Sequence, residues 1–214
     1  MNRCDAQFKK SVMLKVYDAF EAAGFTRFRK EGVDWPLHDG FHAWVGLNTA
    51  LYPDRVDITP NVGVHVVPIH KLCAIKGGKY PYKYDRGVAT YAINIGTLDA
   101  AGDERAFAFG PQQSEAFIDA ECKRLARIYA TAGLDYARSI ASYQALFPLL
   151  QEYVDTLGGY PERVASCLYL MGRKQEAREF VSGFLTRHRD YFEGFAVPFL
   201  EMLDKEESTP NTVA

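Results

Sequence analysis

The sequence predicts an α+β protein: one helix, a small antiparallel sheet, then a helical bundle running to the C-terminal end. Three observations lead there. Apolar residues recur every fourth position near the start, alternate with polar ones from 42 to 66, and return to helical spacing after Pro111. Hydrophobic residues form 48% and charged residues 24% of the 214, a mix that can bury a core and excludes a disordered or fibrous chain. The organisation expected is a helix-plus-sheet segment over 1–110, a helical region over 111–205 packed on it as one unit, and a frayed tail over 206–214.

The first helix is written by Phe8, Val12, Val16 and Phe20, with Ala19 and Ala23 widening the stripe. Gly24 supplies the left-handed residue that stops it. Residues 25–30 read as the first strand, and Trp35-Pro36-Leu37-His38-Asp39-Gly40 as a turn or short loop. The period then becomes two. Ala43, Val45, Leu47, Thr49 and Leu51 fall on one side, and His42, Trp44, Gly46, Asn48 and Tyr52 on the other. Tyr52-Pro53-Asp54 suits a hairpin turn. In the following run Val56, Ile58, Val62, Val64 and Val66 oppose Arg55, Asp57, Thr59, Asn61 and His65. Pro60 has no N–H for a ladder, so it predicts a bulge, an edge or a break. A last strand is expected over 88–96, through Ala89, Tyr91, Ile93 and Ile95.

Beyond Pro111 the steps of three and four return. Ile118, Cys122, Leu125, Tyr129 and Ala132 form one helix, which Gly133 is expected to close. Asp135 would cap a second, kinked at Pro148 and ended by Gly158-Gly159. Pro161 suits the first position of a short helix that stops at Gly172. Two more follow, through Phe184 and through Phe199, and the aromatic residues near the end (Phe184, Tyr191, Phe192, Phe195, Phe199) read as core. A single helical hairpin from Val164 to Ala177 has the tetratricopeptide look, but no second copy repeats it.

Composition narrows the function. With 25 basic and 27 acidic residues the formal charge is −2, which favours neither nucleic acid nor an anionic membrane as partner. No apolar run is long enough to span a bilayer, and the charged N-terminal stretch has no secretory h-region, so a cytoplasmic protein is expected. Cys4, Cys73, Cys122 and Cys167 stand far apart, which predicts reduced, structural thiols rather than a zinc knuckle or redox pair.

Several stretches could carry chemistry. The segment from Lys76 to Gly87 interleaves four cations with three tyrosines; Lys79, Tyr82, Lys83, Tyr84 and Arg86 could clamp a phosphate or carboxylate. It lacks the spacing of a phosphate-binding P-loop, and a solvated connection accounts for the same residues. His38, Asp39, His42, His65 and His70 form no metal-ligand spacing, and neither a metal nor another cofactor is expected. No nucleophile elbow or dinucleotide fingerprint occurs, so an enzyme is the weaker expectation. The polar sheet face is more informative. His42, Trp44, Asn48, Tyr52, Arg55, Asp57 and His65 would project from it, and Trp, Tyr and Arg are the types that anchor protein contacts; the alternative is that the C-terminal helices cover this face and Trp44 is core.

Phe8-Lys9-Lys10, Gly24-Phe25 and Trp44-Val45-Gly46-Leu47-Asn48, spread over about the first 70 residues, resemble small bacterial proteins of unknown function, several of them immunity proteins encoded beside polymorphic toxins. The resemblance implies a non-catalytic module that binds and neutralises a toxin in the cytosol. The competing expectation is a small-molecule-binding protein or enzyme built on the Lys76–Arg86 segment.

Overall fold

The first helix, α1 (Ala6–Ala22), begins where Asp5 accepts the backbone N–H of Phe8 at 2.8 Å. It ends as expected: Gly24 takes φ +97°, and the N–H of Phe25 closes back on the carbonyl of Phe20. The computed structural model describes residues 4–28, 32–75, 88–98, 106–156 and 159–208. The chain forms two compact units, Met1–His65 with Asp85–Ala141, and Val66–Tyr84 with Ser142–Ala214. The helices through Ala141 therefore belong with the sheet, whereas the sequence grouped them with the later helices.

In the first unit the strands β1 (Thr26–Phe28), β2 (Gly32–His38), β3 (Phe41–Leu51), β4 (Val56–Val66) and β5 (Tyr91–Asn94) lie side by side in that order, with β6 (Phe107–Phe109) also paired to β4. The expected loop at 35–40 is mostly strand. Only Asp39 and Gly40 turn, with φ of 43° and 79°, which is the geometry of a tight two-residue hairpin. Pro60 lies inside one continuous strand. On that side β4 pairs with β6 through Val56–Ile58 and with β5 through Asn61–Val64, so the proline sits where no donor is needed. Gly63 is required at the β4–β5 contact, because a Cβ there would overlap the Tyr91 carbonyl oxygen.

One sheet face carries Val56, Ile58, Val62 and Val64, all buried, together with Val12, Val16 and Phe20 of α1. The helix α3 (Glu115–Ile128) packs on one flank of α1. Gly133 does not close it. The backbone passes through a π turn (Tyr129–Gly133) directly into α4 (Leu134–Ser139), and Gly133 lies 3.4 Å from Val62 measured from where its Cβ would be. A small residue there lets the helical layer approach the sheet. From the same turn the buried Tyr129 hydroxyl reaches two carbonyls, Gly46 at 3.0 Å on β3 and Asn61 at 2.9 Å on β4. One hydroxyl hydrogen is shared between them.

The second unit holds α2 (Val67–Cys73), α5 (Tyr143–Glu152), α6 (Pro161–Leu170), α7 (Lys174–Arg187) and α8 (Arg189–Ser208). The kinked helix expected from Asp135 to Gly158 is two helices, because α4 ends at Ser139 and Ser142 caps α5 anew. Asp135 falls inside α4. Neither α2 nor β6 was anticipated; each is only a few residues long. The aromatic end is core, with Phe184, Phe192, Phe195 and Phe199 buried in successive ring contacts, while Tyr191 is exposed. Among the described residues no helix is long and apolar enough to cross a membrane.

Burial pushes the thiols of Cys122 and Cys167 up to about 12 and Cys73 up to about 11, from a usual 9.0. The folded state thus holds protons that the unfolded state releases, so stability should be complete below pH 9 and fall as pH rises towards 12. Urea midpoints at about pH 8 and about pH 10.5 check this, the second being lower. Replacing Tyr129 with Phe removes the hydroxyl that both carbonyls accept from. It should cost about 0.5–1.5 kcal/mol in urea unfolding with little change in the native circular dichroism.

Candidate functional site

The polar face of the sheet forms as the alternation requires, but it divides into a buried part and an exposed part. Asp34 and Trp44 are cross-strand partners between β2 and β3, and Pro36 is paired with His42, so Asp34, His42 and Trp44 share this face. Asp34 is 3% exposed. Its two carboxylate oxygens lie 3.0 and 3.2 Å from Nδ1 of His42, so a proton on that nitrogen is donated to the carboxylate and the ring is held in one orientation. His65 stands 6.4 Å from His42, ring centre to ring centre. Its Nδ1 donates to the Val88 carbonyl at 2.7 Å, and the residue is 2% exposed.

His65 is thereby a correction. It was expected to project for a partner, and it is instead spent on the backbone leading into β5. Trp44 is half-buried. Its ring lies across Gly46, where a Cβ would collide with it, and its indole nitrogen is buried with no acceptor among the described residues. The tryptophan is therefore held down as much by a missing side chain as by contacts.

The exposed part is the tip of the β3–β4 hairpin. Asn48 and Tyr52 are exposed, and the Arg55 guanidinium lies 4.6 Å from the centre of the Tyr52 ring. Arg55 also donates through Nε to Asp57 at 2.9 Å and through Nη1 to Asp54 at 3.3 Å. The turn itself is anchored. The Tyr52 N–H bonds the Arg55 carbonyl at 2.8 Å, and the Cys4 N–H bonds the Pro53 carbonyl at 3.1 Å. Of the seven residues expected to meet a partner, Asn48, Tyr52, Arg55 and Asp57 gather here; His42 and Trp44 lie further along the sheet. Lys79, Tyr82, Lys83, Tyr84 and Arg86 lie outside the described residues. Among the described residues no group of three His, Cys, Asp or Glu side chains is disposed to hold a metal ion.

Sequence reasoning missed one surface of the opposite face, where Lys9, Lys10 and Leu14 of α1 stand beside Leu47 and Thr49 of β3. A signal was present. Met13, Leu14 and Tyr17 lie off the apolar stripe of α1 and form a second apolar row of their own.

No family model matches the chain, and no curated protein and no solved structure is similar to it.

The Asp34–His42 pair yields a direct expectation. Asp34→Ala removes a buried acceptor from a charged-type hydrogen bond and should cost about 1.5–3 kcal/mol of stability. Asn, which keeps an acceptor, should recover part of it. Chemical denaturation of the two variants side by side measures the difference.

Proposed function

We propose that the chain is a non-catalytic protein-binding module whose contact surface is centred on the β3–β4 hairpin tip. The observation that carries this reading is the Tyr52–Arg55 pair. Two residues of the types that dominate binding energies, the exposed Tyr52 and the half-buried Arg55, stack on one another on a turn tied down by four hydrogen bonds. A partner would gain their area without having to order them first, which is where rigid surfaces gain affinity. Asn48 and Asp57 supply polar rim groups beside them. Trp44 contributes through its half-buried ring.

The sharper form of the proposal is an immunity protein that neutralises a bacterial toxin in the cytosol by covering its active surface. It draws on the resemblance of the first 70 residues and on the absence of any turnover requirement in such a tip. Co-expression with a toxin encoded beside the chain's own gene is the test. Growth should be rescued by the native chain and lost with the double variant Tyr52→Ala/Arg55→Ala, while its thermal unfolding is unchanged. Binding between the two purified proteins should weaken by about 2 kcal/mol or more, the cost of losing a hot-spot residue. Equal rescue by native chain and variant sinks the hairpin tip as the site.

A second reading, a small-molecule site, is favoured by the Asp34–His42 pair, an imidazole oriented by a buried carboxylate as acid–base centres require. The ligand would enter at His42, whose side chain is 17% exposed. A thermal shift given by nucleotides or small carboxylates with the native chain, and abolished by His42→Gln but not by Tyr52→Ala/Arg55→Ala, would establish this reading over the first.

A further inference from the structure

The two flanks of α1 are not treated alike. On one, α3 packs against it, and Lys15 of α1 is met by two α3 carboxylates one turn apart, Glu115 at 2.9 Å and Asp119 at 2.7 Å. On the other flank an open groove of about 890 Å³ runs between α1 and the sheet. Its floor and inner wall are Met13 and Tyr17 of α1 with Leu47 and Thr49 of β3, and Leu14 stands exposed on its lip. Among the described residues, every charged one lining it is a cation: Lys9, Lys10 and Arg27. Arg27 is already engaged by Asp18 and Glu21, at 3.2 and 3.4 Å. Lys9 and Lys10 have no carboxylate partner among the described residues.

We propose that this groove is a docking site for an acidic amphipathic helix of a partner protein. The α1–α3 contact is the pattern for it. A helix laid on the free flank would set apolar residues at i and i+3 or i+4 against Met13, Leu14 and Leu47, and carboxylates against Lys9 and Lys10, as Glu115 and Asp119 meet Lys15. Two unneutralised lysines on a chain of net charge −2 select an anionic occupant, and no carboxylate among the described residues lines the groove to oppose it. An enclosed small ligand fits less well, because such sites bury most of the ligand and this groove is open along its lip. The site lies on the sheet face opposite Trp44, so it is additional to the surface proposed above.

The probe is a fluorescein-labelled helical peptide of about 16 residues, with Leu at helical spacing on one face and Glu on its borders. Anisotropy titration should show binding that weakens about tenfold in Lys9→Glu/Lys10→Glu and about fivefold in Leu14→Asp, variants whose fold is checked by circular dichroism. Raising salt from about 50 to about 200 mM should weaken it further. Replacing the peptide's Glu with Lys should reverse the preference, so that the double charge variant now binds it better than the native chain does. Tyr52→Ala/Arg55→Ala should leave peptide binding untouched, which separates this result from the fate of the hairpin-tip proposal. No binding, or binding indifferent to Lys9 and Lys10, overturns the inference. So does binding of dodecanoate to the native chain without binding of the peptide, which would make the groove a site for small anionic amphiphiles.

Discussion

The Tyr129 hydroxyl is the constraint on which the first unit depends. It is a single donor, fully buried, placed between the carbonyls of two neighbouring strands at 3.0 and 2.9 Å. In an apolar interior such a group either finds acceptors or costs several kcal/mol, so its position is fixed tightly. Desolvation also drives its ionisation well above the usual phenol range, which keeps it a donor at any physiological pH. The ring that carries it packs on Phe20 of α1 at 5.1 Å. One side chain therefore joins α1, the π turn and the centre of the sheet. The π turn earns its extra residue here, because the wider turn keeps the helix continuous while Tyr129 and Gly133 both face the strands.

From that joint the character of the two sheet faces follows. The helix-bearing face is filled where α1 and α3 lie and open beyond α1, because the described helical layer ends there. The other face holds a buried polar pair, a histidine committed to backbone, and a tryptophan lying on a glycine. Gly46 is shared by both stories. Its carbonyl serves Tyr129 on one side, and the absence of a side chain accommodates Trp44 on the other. A methyl group at this position would press on the tryptophan at the same point where the strand is held by the tyrosine, so the two faces are mechanically coupled through one residue.

Much of this was legible in the sequence where the cause is local. The stripe Val12, Val16, Phe20 and its glycine stop, and the alternation from Val56 to Val64, depend on side-chain period alone, and both appear in the structure. Asp39-Gly40 was legible too, as an X-Asp-Gly-X pair between strands is a strong hairpin signal, but the turn is confined to those two residues while 35–38 continue the strand. Gly133 and Pro60 misled for another reason. Each was read by its usual local effect, and each is placed by a distant partner: Val62 opposite the glycine, and the hand-over from β6 to β5 beside the proline. The site divides in the same way. Tyr52 and Arg55 are three residues apart on one turn and could be found from sequence. The burial of His65 depends on Val88, and the groove joins residues 9–17 to 27 and 47–49, so no local pattern contains either.

Charge pairing around α1 ties the architecture to recognition. Where the helix has a neighbour in its own chain, its lysine is answered by two carboxylates at i and i+4 of that neighbour, close enough that the Lys15 ammonium is held protonated far up the pH scale. Arg27 is answered from within, by Asp18 and Glu21, and stacks over Tyr17 at 5.2 Å. Lys9 and Lys10, at the mouth of the groove, have no carboxylate partner among the described residues. Exposed ion pairs contribute little to stability, so this difference does not reflect a need of the fold. It reflects the presence of a helix on one flank and its absence on the other. An unpaired cation beside an apolar floor keeps the groove hydrated and selective: it discourages self-association of the exposed leucine and rewards only an occupant that brings both apolar surface and negative charge. The first unit thus offers two surfaces of different chemistry on opposite faces of one sheet, an aromatic–guanidinium tip and a basic groove, held in fixed relation by the same buried hydroxyl.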